Sequence, residues 1–391
     1  MNLFQIQGRV AHIIFNPALT LTEVILKMSI NTAHNIFFYC YPQGPPHQAA
    51  FQHSIICLAE GLKELDVPFY SNINYWQIDL EKNQYLFSYN QDVKPDDCSV
   101  VIVNHQWMRY GKCLPADLFK RKRKYLTVYI DSADGRTTAS WRPEFRQFDI
   151  ILKCHFNRKW RYPDNLYPWA FGISNRIKEY TSNYQLFLPK KDRIIFNYRV
   201  NHGVRDIAIQ KFLPSISKIL EVDSSVDNFA PPQLSEQDYL WWTQTGRRHY
   251  PNYYTRLKSS VACACFGGYL DRPLWHDYTP PYKHCHRALN KLFPKTMGIV
   301  LQWDSWRFWE SLAAGCVAFH VDFEKYGIQL PVMPLNYRHY IGIDLDDPEV
   351  AVKQIFNDPE LLAKIAVEGR SWALENYSPV PTAKRFLEMV N

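Results

Sequence analysis

The sequence predicts an α/β protein made of two Rossmann-like domains that face a cleft. Short apolar runs of the kind that form buried strands alternate with helical segments, and this alternation starts again near residue 189. The chain has 391 residues, enough for two domains, and 47% of them are hydrophobic. Large cores are therefore available, and global disorder is excluded.

The first part of the chain reads as an extension followed by one domain. Residues 1–34 carry a possible helix, for which the sequence indicates no role, and residues 35–188 are predicted to form the first Rossmann-like domain. Its strands are predicted in IFFYCY, SVVIVN, YLTVYID and DIILKCHF, with a helix in AAFQHSIICLAEGLKELDV. Strands that alternate with helices form parallel βαβ units, so a parallel sheet is expected here.

The second domain is predicted over residues 189–372, and a closing helix over residues 373–391. Its strands are predicted in RIIFNYRV, SSVACACF, GIVLQW and CVAFHVD. Helices are predicted from about Val204 to Leu220 and in SWRFWESLAAG, PEVAVKQIFND, PELLAKIAVEGRSWALENY and PTAKRFLEMV. A ligand is expected in the cleft between two such domains.

Composition and charge narrow the class of protein. The net charge of +7 favours anionic ligands such as nucleotides, and it does not require a nucleic-acid partner. Nine cysteines show no paired framework, which indicates reduced thiols and a cytoplasmic location. No secretory signal and no apolar run of about 18 residues is visible, so at most peripheral contact with a membrane is expected.

The most informative stretch is SWRFWESLAAGCVAFHV, residues 305–321. In a helix that starts near Ser305, Arg307 and Glu310 lie three residues apart and share a face. The helix N-terminus offers N–H groups and partial positive charge to a phosphate. Arg307 could then clamp a diphosphate while Glu310 accepts hydrogen bonds from ribose. The spacing alone is equally typical of an ordinary βαβ unit that carries an Arg–Glu pair on its surface and binds no nucleotide.

Two stretches, SSVACACFGGY and WRFWESLAAGCVAFHVD, resemble the C-terminal half of GT-B glycosyltransferases, including the exostosin-like and group 1 families, over about residues 255–345. The resemblance implies the GT-B architecture, with the nucleotide-sugar donor bound by the second domain. It implies that Arg307 contacts the diphosphate, that Glu310 contacts the ribose, and that Gly267 and Gly268 line the phosphate side. The ending ENYSPVPTAKRFLEMV is similar to the helix that returns to the N-terminal domain in this fold.

The sequence departs from the group 1 pattern at one position. Retaining members of that family carry a second glutamate eight positions before the ribose-binding one, and here that position is Gln302. The substitution slightly favours an inverting mechanism.

Further donor-binding cations are expected just after the first strand of the second domain. In many GT-B enzymes a basic residue of this loop reaches the donor phosphates, so Arg199 or Arg205 is a candidate for stabilising the leaving group. An ordinary surface arginine is an equally good interpretation of either residue. KHCHR (283–287) lacks the spacing of a zinc site, so no metal and no cofactor is expected beyond the nucleotide-sugar itself, with UDP or GDP as its nucleotide.

An inverting transferase also needs a general base near the acceptor hydroxyl. Asp131 and Asp134 lie at the carboxyl end of a predicted strand of the first domain, and His105 lies at the equivalent place on the preceding strand. Asp131 is the first candidate, although an aspartate after a strand is often a helix cap or turn former.

The resulting hypothesis is a glycosyltransferase that moves a hexose or pentose from a nucleoside diphosphate to a glycan or another hydroxyl acceptor. Two alternatives stay open: a nucleotide-sugar epimerase on the same fold, and a non-catalytic glycan-binding or scaffold protein. Dehydrogenase and P-loop functions lack their motifs, since the sequence contains neither G-x-G-x-x-G after a strand nor G-x-x-x-x-G-K-S/T.

Overall fold

The structure is a computed structural model that describes residues 34–41, 53–111, 113–133, 143–182, 190–198, 203–226, 235–271 and 299–391. Residues 1–33 of the predicted extension, Asp134, Arg199 and KHCHR lie outside these residues. No helix in the described ranges is both long enough and apolar enough to cross a bilayer.

The first half of the chain builds a parallel sheet. Its strands are β1 Ile36–Tyr39, β2 Phe69–Ser71, β3 Tyr75–Asp79, β4 Gln84–Phe87, β5 Val100–Asn104, β6 Leu126–Asp131, β7 Ile150–Lys153 and β8 Leu166–Pro168. Six of them form one sheet in the order β2-β1-β5-β6-β7-β8, and every neighbouring pair is parallel. All five residues of β5 are buried, as expected for a strand that is covered on both faces.

The second half builds another parallel sheet. Its strands are β9 Lys191–Ile195, β10 Glu221–Asp223, β11 Ser260–Ala264, β12 Tyr269–Asp271, β13 Ile299–Leu301, β14 Val317–Val321 and β15 Ile341–Ile343. Five of them form a sheet in the order β10-β9-β11-β14-β15, again with parallel neighbours. The predicted α/β class with two Rossmann-like units is confirmed.

Eleven α-helices accompany these sheets in the described residues. They are α1 His53–Glu64, α2 Asn175–Thr181, α3 Gly203–Ile207, α4 Leu213–Ile216, α5 Glu236–Gln244, α6 Pro251–Ser259, α7 Trp306–Ala313, α8 Phe323–Tyr326, α9 Glu349–Asn357, α10 Leu361–Tyr377 and α11 Pro379–Val390. A π-helical turn joins α3 to α4, so the single helix predicted from Val204 to Leu220 is divided. Helices α2, α5, α6 and α8 were not predicted.

One predicted strand takes a different place. GIVLQW was expected to continue the second parallel series, but β13 instead pairs antiparallel with β12 in a separate two-stranded sheet. The apolar run is buried as expected, with Val300 fully inaccessible. Burial alone does not determine which strand is the partner, and here the chain turns back through the Gly267–Gly268 loop before β12.

The last helix packs on the first half of the molecule. In α11, Ala383, Phe386 and Leu387 are buried in the same core as Ile55 and Leu62 of α1. At the crossing, an ideal Cβ on Gly61 would lie 1.9 Å from the carbonyl oxygen of Pro379, so only glycine permits this approach.

Next to this crossing, α1 also contacts the start of α2 through a buried carboxyl group. Glu60 is 7% exposed, and its Oε2 accepts a hydrogen bond of 2.7 Å from the backbone N–H of Asn175. Burial raises the pKa of Glu60 from 4.5 to about 8. Because the protonated form is favoured in the folded state, unfolding releases a proton between these two pH values.

We therefore predict that replacing Glu60 with glutamine changes how stability depends on pH. In the wild type, the contribution of Glu60 is fully present below about pH 4.5 and is lost as pH rises through about 8. The loss is at most about 1.4 kcal/mol per pH unit. In urea unfolding between pH 5 and 9, the stability of the wild type should fall more steeply with pH than that of Glu60→Gln. Glu81→Gln, at an exposed position in the turn between β3 and β4, is the control; an unchanged slope in Glu60→Gln would contradict the prediction.

Candidate functional site

Helix α7 begins where the sequence predicts, directly after the polar residues Asp304 and Ser305. Ser305 is the N-cap residue with an extended backbone. One face of α7 is buried by Phe308, Trp309 and Leu312. Gly315 takes a φ of 61° just after the helix, in the left-handed region, and β14 follows. The helix N-terminus is thereby fixed at the loop that leaves β13.

The Gly267–Gly268 loop follows β11 and lies against this same segment. Gly268 has a φ of 95°, and a Cβ there would stand 2.1 Å from the carbonyl oxygen of Leu301. A Cβ on Gly267 would stand 3.3 Å from the carbonyl oxygen of Trp303. The two glycines therefore let the loop approach the backbone before α7, at the carboxyl edge of the sheet where ligands bind in open α/β folds.

Arg307 reaches from the first turn of α7 to the loop after β9. Its Nε lies 3.2 Å from Asn197 Oδ1, and its Nη2 lies 3.4 Å from the Asn197 carbonyl oxygen. Its guanidinium carbon is 5.9 Å from the centre of the Tyr198 ring. β9 and β11 are parallel neighbours, so the loops that follow them share one edge with the Gly267–Gly268 loop.

Arg205, in α3, lies over the same tyrosine. Its guanidinium carbon is 5.2 Å from the centre of the Tyr198 ring, and its Nε donates a hydrogen bond of 2.8 Å to the carbonyl oxygen of Phe266. Two arginines that the sequence separates by about a hundred positions therefore lie around one ring. Arg199, the alternative candidate, lies outside the described residues.

Several buried polar atoms in this region make no hydrogen bond with the described residues. They are Tyr198 Oη, Gln302 Oε1 and Ser305 Oγ. Gln302 also has a φ of 57°, in the left-handed region that a non-glycine residue seldom adopts. Buried polar groups normally have hydrogen-bond partners, and a polar ligand bound here could supply partners to these three atoms.

Glu310 lies one turn further into α7, and its carboxylate is held inside the protein. It is 5% exposed, and its Oε1 accepts a hydrogen bond of 2.7 Å from the hydroxyl of Tyr254. Nη2 of Arg176 lies 3.7 Å from the same oxygen. Arg307 and Glu310 thus lie three residues apart on one helix, as predicted. The contacts of Glu310 with Tyr254 and Arg176 were not predicted.

In the first half, Asp131 ends β6 and is fully buried. Its Oδ2 lies 3.2 Å from Nζ of Lys153, which is itself 1% exposed, and its Oδ1 accepts the backbone N–H of Ala133. The ion pair and the burial give Asp131 a structural role here and count against it as a base that meets an acceptor. Asp134 lies outside the described residues.

His105 is half-buried at the carboxyl end of β5, as predicted, and lies close enough to His155 to affect its titration. His155 follows β7 at the same edge and is 1% exposed. Burial, together with the nearby Lys153 cation, lowers the pKa of His155 to about 3, so its imidazole is neutral. Since the backbone N–H of Asp304 donates to its Nδ1 at 3.0 Å, the ring proton lies on Nε2.

Asp304 joins this edge of the first sheet to α7. Its Oδ2 accepts the backbone N–H of Phe171 at 2.8 Å, and its Oδ1 accepts the indole N–H of Trp309 at 2.7 Å. Burial raises the pKa of Asp304 to about 7 in spite of these donors. Asp304 and His155 therefore connect the two halves of the molecule directly beside the N-terminus of α7.

Sequence reasoning missed Asn197, Tyr198, Tyr254 and Arg176. The first two offered a signal, since they are polar residues that follow a buried strand at the ligand-binding edge. Tyr254 and Arg176 offered no such signal in the sequence. In the described part of the chain, no three His, Cys, Asp or Glu side chains lie together as a metal site requires. The eight cysteines there are all free thiols, and only Cys113 is exposed.

Comparisons with known proteins find similarity only among solved structures. No protein-family model matches the chain, and no curated protein matches it. An alpha-glucosyltransferase in complex with UDP and a mismatched DNA 13-mer is 12% identical; the alignment covers 92% of this chain and 100% of that one, with a TM-score of 0.48.

Two further solved structures are similar at the same level. AviGT4, a glycosyltransferase of avilamycin A biosynthesis, is 14% identical over 91% of this chain and 97% of its own, with a TM-score of 0.47. Anabaena HepE in complex with UDP and glucose is 12% identical over 91% of this chain and 99% of its own, with a TM-score of 0.42.

Proposed function

We propose that this chain is a glycosyltransferase that moves a sugar from a nucleoside-diphosphate donor to a hydroxyl acceptor. The observation that carries the proposal is the pair of guanidinium groups, those of Arg205 and Arg307, around Tyr198 at the carboxyl edge of the second sheet. Beside them lie the N-terminus of α7 and the Gly267–Gly268 loop. A diphosphate would offer anionic oxygens to both arginines and to the unsatisfied hydroxyl groups nearby.

In this reaction the acceptor oxygen forms a bond to the anomeric carbon, the bond between that carbon and the diphosphate oxygen breaks, and negative charge develops on the departing diphosphate. Arg307 and Arg205 would donate charge-assisted hydrogen bonds to that charge. No metal ion is part of the proposal. Gln302, which stands where retaining group 1 enzymes have a glutamate, favours attack with inversion.

Inversion requires a base that removes the proton from the acceptor hydroxyl. His105 is the better of the two described candidates, because it is half-buried at the carboxyl edge of the first sheet, whereas Asp131 is enclosed and paired with Lys153. The acceptor, a glycan or another hydroxyl compound, would then bind at the first sheet and the donor at the second. UDP or GDP as the donor nucleotide and a cytoplasmic location belong to the same proposal.

The test is the release of free nucleotide from UDP-, GDP-, ADP- and CMP-sugars, measured with the wild type and with Glu310→Ala. We expect turnover of one donor class, with release faster when a hydroxyl acceptor is present, and loss of turnover in the variant. Isomerisation of the donor sugar without nucleotide release would instead indicate an epimerase. If no donor is consumed and no nucleotide raises the melting temperature, the transferase proposal is wrong and a glycan-binding role takes its place.

A further inference from the structure

Glu310 belongs to a chain of buried polar side chains, and this chain has a fixed hydrogen-bond direction. We propose that Tyr254 and Arg176 are positioning residues, which hold the Glu310 carboxylate ionised and oriented toward the ribose hydroxyls of the donor. The inference rests on the proposed function, because it concerns how that donor site recognises ribose.

The first link is the hydrogen bond from Tyr254 to Glu310. Both residues are buried, Tyr254 being 1% and Glu310 5% exposed. Nη1 of Arg176 lies 2.7 Å from the hydroxyl oxygen of Tyr254. Since a guanidinium only donates, that oxygen accepts from Arg176, and the single hydroxyl proton is left to donate to Glu310 Oε1 at 2.7 Å. The bond direction requires Glu310 to be an acceptor at Oε1.

The second link fixes Arg176 itself. The same Nη1 lies 3.0 Å from Nδ1 of His249, and His249 is fully buried. Burial, with the charge of Arg176 beside it, lowers the pKa of His249 to about 3, so the ring is neutral and Nδ1 accepts. Its proton is then on Nε2, which donates to Asp238 Oδ1 at 3.1 Å. Asp238 also accepts hydrogen bonds from the hydroxyl groups of Ser235 and Tyr180.

These contacts place one cation between two carboxylates. Arg176 is 2% exposed, and its Nη2 lies 3.7 Å from Glu310 Oε1, close enough for an ion pair but too far for a hydrogen bond. A carboxylate at this depth stays ionised only beside a compensating charge and donors. Without Tyr254 or Arg176, Glu310 would lose a hydrogen-bond donor or a neighbouring positive charge, and its ability to accept hydrogen bonds from a ribose diol would fall.

The chain also joins segments from different parts of the fold. Arg176 lies in α2, which follows the last strand of the first sheet, while Asp238, Tyr254 and Glu310 lie in α5, α6 and α7. The guanidinium carbon of Arg176 also lies 5.6 Å from the centre of the ring of Trp306, the first residue of α7. The orientation of Glu310 therefore depends on α2 being seated between the two halves.

The test measures recognition of the ribose hydroxyls, because a merely structural role would weaken all nucleotides alike. Binding of UDP, 2′-deoxy-UDP and 3′-deoxy-UDP (or the GDP set, if GDP-sugars are the donors) is measured by calorimetry for the wild type and Tyr254→Phe. We expect the wild type to prefer UDP, and the variant to lose about tenfold in UDP affinity. Its affinity for the deoxy forms should change little, so the preference disappears.

Tyr326→Phe is the matched control. It removes another buried hydroxyl in the second half, one that accepts the backbone N–H of Leu345 at 2.9 Å and has no contact with Glu310 among the described residues. The preference for UDP should survive in it. Should Tyr254→Phe fold poorly, Arg176→Lys serves as the second variant. The lysine keeps the positive charge but lacks the planar guanidinium group that contacts both Tyr254 and His249. The same loss of preference for UDP over the deoxy forms is expected.

Equal weakening of UDP and its deoxy forms, or an unchanged preference, overturns the inference while the proposed function stands. A wild type that binds UDP but does not distinguish it from the deoxy forms also overturns the inference and leaves the proposed function standing. A wild type that binds no nucleoside diphosphate at all overturns both the inference and the proposed function.

Discussion

Replacing Arg307 with alanine is expected to lower donor turnover by about two to three orders of magnitude, the usual cost of removing one group that stabilises developing negative charge. The guanidinium lies at the first turn of α7, where a diphosphate would meet it together with Arg205. The effect should appear mainly in kcat, because the interaction strengthens as the diphosphate departs.

The measurement is steady-state release of nucleotide from the donor that the panel selects, with melting temperature as a check on folding. Little destabilisation is expected, since the described contacts of the Arg307 head group are two hydrogen bonds to Asn197 and the Tyr198 ring. Arg307→Lys should recover part of the activity, because a lysine keeps the charge but not the planar fork. Arg338→Ala, at an exposed position paired with Glu368, is the control for loss of an arginine. Near-normal turnover in Arg307→Ala would rule out the assigned role.

The largest effect on stability is expected at Gly61. In Gly61→Ala the new Cβ would lie 1.9 Å from the oxygen and 2.4 Å from the carbon of the Pro379 carbonyl, and 2.8 Å from the Cβ of Ala383. These are backbone and helix atoms that no rotamer change can move, so α1 and α11 must separate. We expect a loss of roughly 3 kcal/mol or more in the free energy of unfolding, at the upper end of overpacking effects.

Chemical denaturation measures that loss, and limited proteolysis should show earlier cleavage of the C-terminal helix. An alanine is otherwise favoured over glycine inside a helix by up to about 1 kcal/mol, so the expected sign is opposite to the intrinsic preference. Gly203→Ala is the control, because no described atom lies within 4 Å of an ideal Cβ at that position. Equal stability of Gly61→Ala and the wild type would show that the helices do not meet as closely as described.

The elements around α7 could be predicted because their signals are local. Buried runs such as VVIVN and VAFHV are apolar at four of their five positions, and the Ala-Ala-Gly ending of α7 sets its boundary. The Gly267–Gly268 loop was equally visible, since adjacent glycines after a strand mark a close backbone approach. These features placed Arg307, Glu310 and the glycines on neighbouring elements of one sheet.

The rest of the site depends on contacts between distant segments. Tyr254 contacts Glu310 across 56 positions of sequence and Arg176 across 78, and both contacts arise only once α6 and α2 are packed against α7. Asp131 was placed correctly at a strand end, but the register between β6 and β7 sets it opposite Lys153. A sequence pattern carries no information about that register, so the ion pair could not be foreseen.

The most direct test of the proposed donor site is a crystal structure of the protein with the nucleoside diphosphate that the donor panel selects. We expect the diphosphate to lie between the guanidinium groups of Arg205 and Arg307, beside Gly268 and the N-terminus of α7, with the ribose hydroxyls hydrogen-bonded to Glu310. A nucleotide bound at the first sheet instead, or one whose phosphates contact neither arginine, would contradict it.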